Sequence, residues 1–256
     1  MKFIILGCGS SMGVPRPDGY FGKCNPRNKK NFRLRCSALI QSKNETILID
    51  TSPDLRQQLL NNKVRNVDKV LYSHMHADQT HGINDLRAFF IKRKQPIPVY
   101  ADNPTKKYLM NAFKYCFENN NKEYPAILKL NSIKKNLSIK DGHKRVKIKT
   151  VNVKHGNVNS ICYIIDNKLA YISDVSSIRK KDYKYFRNLK FLIIDCLWLK
   201  YHPSHLNLEN SLKLINKFKP KKAILTNLHS DLDYNELKKK LPKNIQPAYD
   251  GLNIKL

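Results

Sequence analysis

Short apolar runs rich in β-branched side chains, each cut off by polar or glycine-containing turns, alternate along the chain with stretches whose apolar positions recur every three or four residues. Lys2–Leu6, Ser37–Gln41, Thr46–Asp50 and Lys69–Tyr72 read as strands, with Asp54–Asn61 a helix between the last two. After Pro104 an amphipathic run to Phe117 carries Tyr108, Leu109, Ala112, Phe113 and Cys116 in helical spacing. Val146–Val153, Ile161–Ile165 and Leu169–Ser173 read as strands, with Asp166-Asn167 as the turn of a hairpin. Asp182–Leu189 reads as helical, Phe191–Asp195 as a strand, Glu209–Phe218 as a helix ended before Pro220, and Ala223–Thr226 as a strand. This alternation by itself gives an α/β chain, without internal repeat or low-complexity linker.

The chemistry concentrates behind one of these strands. Lys69–Ser73 runs into His74-Met75-His76-Ala77-Asp78-Gln79-Thr80-His81-Gly82, three histidines and an aspartate within nine residues. Imidazole and carboxylate together suit a divalent cation, and the carboxyl end of a buried strand is where sites gather in α/β folds. The chain is therefore expected to bind metal.

The segment resembles the H-x-H-x-D-H-x-x-G signature of the metallo-β-lactamase superfamily, and the family's other stations follow in order. Asp50 closes an apolar strand, His155 stands in Val153-Lys154-His155-Gly156, Asp174 in Tyr171-Ile172-Ser173-Asp174, and His229 in Leu225-Thr226-Asn227-Leu228-His229. The opening Gly7–Pro15, the stretch His205–Glu209 and the ending Ala248–Leu252 are most similar to the branch containing the phosphoribosyl 1,2-cyclic phosphate phosphodiesterase of the carbon-phosphorus lyase pathway. The resemblance covers essentially the whole chain. It implies a four-layer αββα sandwich, two sheets face to face with helices outside, and one domain over residues 1–256.

It also implies a ligand set. His74, His76 and His155 would hold one metal, Asp78 and His229 with His81 or Gln79 a second, and Asp174 would bridge them. Two cations about 4 Å apart lower the pKa of a shared water and neutralise the oxygens of a phosphoryl displacement, with Asp78 counted among the catalytic groups. The ions expected are Mn or Zn, with Fe admitted by the same donors. Two departures bear on the second ion. The family's histidine after the aspartate is Gln79 here, with His81 two residues on, and the family's final ligand falls on Asn227, with His229 two residues on. The equal offsets predict that His81 and His229 compensate. A structural zinc of the branch is expected to be absent, because only Cys24 remains of its cysteine cluster and Ser230 stands where its histidine would lie.

A phosphodiester also needs its leaving oxygen protonated. By the same resemblance His205 is the general acid, and an imidazole titrating near neutrality suits that role. His202 and His143 read as loop histidines. Asp50 either orients the histidine loop or caps the helix after Pro53. Arg33, Arg35 and Arg87 are substrate clamps or surface ion pairs, and the Gly7–Pro15 loop lacks the ending of a phosphate-binding P-loop.

Charge changes this picture little. The net +28 comes from 37 lysines against 11 arginines and is dispersed, as in Lys106-Lys107 and Lys238–Lys240. Such lysines describe a solvated surface that draws in anions more than a nucleic-acid reader. The six cysteines lack metal-ligand spacing and are expected to stay thiols. No apolar stretch approaches membrane length, so neither a signal peptide nor a membrane contact is expected, and the location read is cytoplasmic. The function expected is a metal-dependent phosphodiesterase acting on a small, anionic, even cyclic, phosphoester. A tRNA 3′-processing type of endoribonuclease and a non-enzymatic binding protein are the alternatives, the former disfavoured because no glycine lies between Gly82 and Gly142 to build a flexible RNA-gripping arm. A homodimer stays open.

Overall fold

In the computed structural model, which describes residues 1–119 and 124–256, strands β1 (Lys2–Gly7), β2 (Ser37–Gln41), β3 (Thr46–Ile49), β4 (Lys69–Leu71), β5 (Ile97–Ala101) and β6 (Leu128–Ser132) come from the first half of the chain. They are followed by β7 (Asn136–Asp141), β8 (Lys144–His155), β9 (Val158–Ile165), β10 (Leu169–Ile172), β11 (Phe191–Asp195), β12 (Lys222–Thr226), β13 (Ile245–Pro247) and β14 (Leu252–Lys255). One seven-stranded sheet has the order β14-β1-β2-β3-β4-β5-β6, and the other the order β13-β12-β11-β10-β9-β8-β7.

Successive buried residues of a strand join different cores, and this fixes the layers. Phe3 and Ile5 of β1 join Ile40, Ile49, Tyr163, Ile165, Tyr171 and Ile193 in a core drawn from both sheets. Their neighbours Ile4 and Leu6 point the other way and pack with Leu48, Leu55, Leu59, Leu86, Phe89 and Leu109 under the helices of the first half. On the far side Leu192, Ile194, Ala223 and Leu225 pack with Ile215 and Phe218. Strands apolar on both faces, flanked by helices, make the αββα sandwich that the family resemblance implied.

The helices obey local rules. In α6 (Leu208–Phe218) the Asn207 side chain accepts from the Asn210 amide, Lys219 ends the helix in the left-handed region at φ 49°, and Ser211, Ile215 and Phe218 form the buried stripe. The expected run over 104–117 is two helices, α4 (Asn103–Ala112) and α5 (Lys114–Phe117), broken at Phe113 with φ −132°. The region read as a helix over 182–189 is instead a 3-10 segment, Lys180–Phe186. The hairpin turn lies at Asp166-Asn167, both at positive φ, as a tight turn of mirror-image type requires. Among the described residues no helix is long and apolar enough to cross a membrane.

Candidate metal centre

The centre is built at one end of the sandwich from residues that terminate strands of both sheets. β3 delivers Asp50, β4 the segment Ser73–His76, β8 ends on His155, and β10, β11 and β12 lead to Asp174, Asp195 and Asn227. Gly82 closes the histidine loop against the first sheet, and a Cβ there would lie 1.9 Å from the Ser52 carbonyl oxygen, so only glycine lets the loop sit this close.

Three imidazoles converge. His74 Nε2 lies 3.0 Å from His76 Nδ1, and His155 Nε2 lies 3.1 Å from the same atom. His155 Nδ1 is 2.7 Å from the Ser204 carbonyl oxygen. A carbonyl only accepts, so Nδ1 carries the proton and Nε2 presents a lone pair to the cluster. Ser73 Oγ meets His74 Nδ1 at 3.0 Å, and the Ser73 amide donates to Asp50 Oδ1 at 2.7 Å. Asp50 thus fixes the backbone from which His74 projects, while the helix α1 (Leu55–Asn61) begins after Asp54 with no side-chain cap. Of the two roles read for Asp50, orientation of the histidine loop is the one its contacts support.

Burial keeps the rings of His74 and His76 neutral. Burial pulls His74 down to about 3, against the opposing pull of Asp174, and it lowers His76 as well, helped by the neighbouring His155. Asp174 is 2% exposed, and its Oδ2 has no hydrogen-bond partner among the described residues. Burial would raise its carboxyl, but the surrounding His74, His155 and His205 outweigh that and hold it low. Lone pairs about 3 Å apart repel unless a proton or a cation sits among them, and a separation near 3.0–3.4 Å is what ligands roughly 2.1 Å from one ion adopt. The His74–His76–His155 set therefore fits a divalent cation, and Asp174 stands beside it with His155 and His205.

Beside it stands a second constellation. His205 Nδ1 lies 2.7 Å from Asp195 Oδ2, and its ring centre is 4.6 Å from that of His155. Burial alone would lower His205, yet Asp195, with help from Asp174 and Asp78, overcomes it and lifts the imidazole to about 9. Burial in turn pushes Asp195 up to about 6 although His205 opposes it. At neutral pH the pair is therefore an imidazolium held on a carboxylate. Asp195 was not singled out from sequence as a site residue. Its signal was an aspartate ending a buried apolar strand, the same signal that marked Asp50.

The other half of the expected ligand set is arranged differently. Asp78 is raised to about 6 by burial and by Asp174, and its Oδ2 accepts from Gln79 Nε2 at 3.1 Å. Neither offset histidine joins the centre. His81 is exposed, with Nε2 2.8 Å from the Tyr108 hydroxyl and its ring stacked at 6.3 Å on that of Tyr108. His229 lies against Trp198, its Nδ1 accepting from the Asp231 amide at 3.2 Å. The expected compensation is corrected accordingly: a two-residue offset at a helix turn or after a strand points the side chain elsewhere, and the structure brings Gln79 and Asn227 to the centre instead.

The arginines are not clamps of this centre. Arg33 is 1% exposed and donates to the Leu232 and His229 carbonyls, tying the amino-terminal loop to the carboxyl-terminal one. Arg35 pairs with Asp54 at 2.8 Å, and Arg87 begins helix α3 (Arg87–Arg93) on the outer face of the first sheet. His143 is exposed, and His202 lies 5.1 Å from the His205 ring. All six cysteines are buried and free.

Comparison with known proteins now adds to the geometry. The family described as the β-lactamase superfamily domain matches residues 45–227, well over half of the chain and the span that holds Asp50, the histidine loop, His155, Asp174, Asp195, His205 and Asn227. The chain belongs to the metallo-β-lactamase superfamily. Within that superfamily, a solved structure described as a new diphosphatase from the PhnP family is 31% identical, superposes with a TM-score of 0.89, and covers 100% of this chain and 97% of its own. Zinc-bound PqqB from Methylobacterium extorquens, 16% identical with a TM-score of 0.79 and full coverage of both chains, shows the fold alone. So does the short form of human tRNase Z, at 14% identity, a TM-score of 0.67 and coverage of 100% and 99%. A protein of Porphyromonas gingivalis named octanoyltransferase is 30% identical over 98% of this chain, which spans only 51% of that protein's length. Superfamily membership and the His/Asp centre together make this chain a metal-dependent hydrolase.

Proposed function

We propose that this hydrolase is a phosphodiesterase acting on a compact phosphoester. The observation that carries the reading is the adjacency of two constellations, the converging nitrogens of His74, His76 and His155 and the His205–Asp195 pair whose ring lies 4.6 Å from His155. His74, His76 and His155 would hold a divalent cation, Mn, Zn or Fe, which would polarise the phosphoryl oxygens and supply a nucleophilic water at neutral pH. His74 and His155 are locked by Ser73 and Ser204, so their lone pairs are aimed before any ion arrives. His205 holds its proton on the side away from Asp195, at Nε2, and from there delivers it to the departing alkoxide. The lysine-rich surface draws the anionic ester in.

The 31% identical relative is described as a diphosphatase, which favours a phosphoanhydride as a second reading for the same groups. Purified protein supplied with Mn(II) or Zn(II) is expected to cleave bis-p-nitrophenyl phosphate and a ribose cyclic phosphate faster than a dinucleotide diphosphate. The reverse order moves the substrate to the phosphoanhydride class. Efficient site-specific cleavage of precursor tRNA at physiological salt moves it to the nucleases, since lysine-driven attraction to RNA fades as salt rises.

A further inference from the structure

Asn227 is 2% exposed, is held at φ 61° behind β12, and aims its amide nitrogen into the centre. Nδ2 lies 3.3 Å from Asp174 Oδ1, 3.3 Å from Asp195 Oδ1 and 3.1 Å from His205 Nδ1. Two carboxylate oxygens set the orientation of this amide, because the flipped carbonyl oxygen would face both of them, and His205 Nδ1, whose proton is directed to Asp195, makes no bond with it. Gln79 is fully buried and equally pinned: its backbone N–H donates to the His76 carbonyl at 3.0 Å, its carbonyl accepts from the Thr51 amide at 2.8 Å, and its Nε2 donates to Asp78 Oδ2 at 3.1 Å.

We propose that the centre holds one divalent cation, seated among His74, His76 and His155, and that the side-chain amides of Gln79 and Asn227 stand in place of a second ion. The inference rests on the metal-dependent reading of the centre and deepens it. On the histidine side three imidazole nitrogens converge, the number a catalytic ion takes from protein while keeping one position for water. On the amide side one oxygen each of Asp78, Asp174 and Asp195 already accepts an N–H, and what stays free is the other Asp78 oxygen, Asp174 Oδ2 and the buried, partnerless Oε1 of Gln79. These oxygens do not make a shell, because among the described residues Asp78 joins no set of three His, Cys, Asp or Glu donors within 4.8 Å of one another. The histidines that could have completed a second shell are engaged elsewhere, His81 with Tyr108, His229 with the Asp231 amide, and His205, beside His155 and Asp174, with Asp195. An amide donor also does statically what a second cation does by charge, covering a carboxylate oxygen, and it does so independently of metal supply.

The test is calorimetric titration of chelator-treated protein with Zn(II), checked by elemental analysis after dialysis, on the wild type, on His74→Ala and on the double variant Gln79→His/Asn227→His. The expected stoichiometries are one tight ion for the wild type, none for His74→Ala, and two for the double variant. Two tight ions in the wild type overturn the single-ion proposal while leaving the metal-dependent reading intact, and no ion in the wild type overturns both. A double variant with unchanged circular dichroism that still binds one ion also counts against the amides as the reason. Should that variant not fold, the wild-type stoichiometry decides alone.

Discussion

The two flanks of the centre come from the same loop and the same strand ends, yet they solve opposite problems. On one flank His74, His76 and His155 crowd lone pairs to 3.0 and 3.1 Å, an arrangement that calls for a cation and in which burial keeps His74 and His76 neutral. On the other, carboxylates of Asp78, Asp174 and Asp195 are answered by the N–H groups of Gln79 and Asn227. Crowded acceptors without donors mark where an ion belongs, whereas acceptors already matched to amides mark where it does not.

The largest effect is expected from breaking the histidine flank. His74→Ala or His155→Ala removes one of the aimed nitrogens, and hydrolysis of bis-p-nitrophenyl phosphate should fall by roughly a thousandfold or more together with metal content. Circular dichroism should stay native, since the sandwich core lies between and outside the sheets. Retained activity in a metal-free variant would refute the assignment.

Next comes the proton donor. His205→Ala should slow a ribose cyclic phosphate by about 10²–10⁴-fold but the nitrophenyl ester much less, because nitrophenolate leaves without a proton. With its imidazole lifted to about 9 by Asp195, His205 is charged at neutral pH and loses its proton as pH rises through that value. The rate on the cyclic ester should therefore fall above about pH 9, and the nitrophenyl profile should lack that limb. The same sign governs stability: the folded value is raised from 6.5, so the contribution of the His205 proton is full below about 6.5 and disappears as pH passes about 9. Equal losses on both esters would remove His205 from the proton-donor role.

A smaller effect is expected one contact further out. Asp50→Asn keeps the volume but weakens acceptance of the Ser73 amide, and Zn(II) affinity should drop by roughly 10–100-fold with kcat at saturating metal little changed. An equal fall in kcat at saturating metal would give Asp50 a direct part in the chemistry. The smallest effects belong to the histidines outside the centre. His81→Ala loses a hydrogen bond to Tyr108 and should cost about 0.5–1.5 kcal/mol of stability at most, and His229→Ala a similar amount, with metal content untouched in both. Loss of an ion in either variant would restore the compensated two-ion arrangement.

What was legible in sequence follows the same physics. His74, His76, His155 and Asp174 each end a strand apolar enough to be recognised, so motif and element reinforced one another. His81 and His229 misled because residue type was visible while side-chain direction was not, and direction is decided by helix α2 (Ala77–Thr80) and by the turn after β12. Gln79 and Asn227 looked like losses because a donor that covers a carboxylate has no signature along the chain. The strands missed tell a parallel story. Four of the five, β6, β7, β13 and β14, are the edges of the two sheets, where one side faces solvent and the pattern is polar and short; β6 buries only Leu128 and β7 only Ile139. The fifth, β5, lies inside its sheet, where Pro98 interrupts an alternation of buried and half-buried positions. β2, β3 and β11 lie inside the sheets and were read almost to the residue.

The most direct measurement is anomalous diffraction from crystals of the wild-type protein grown with excess Zn(II) or Mn(II). The account predicts a single strong peak within ligand distance of His74 Nε2, His76 Nδ1 and His155 Nε2, with the amides of Gln79 and Asn227 still on their carboxylates. A second peak of comparable height between Asp78 and Asp174, or a first peak at His81 or His229, would contradict it.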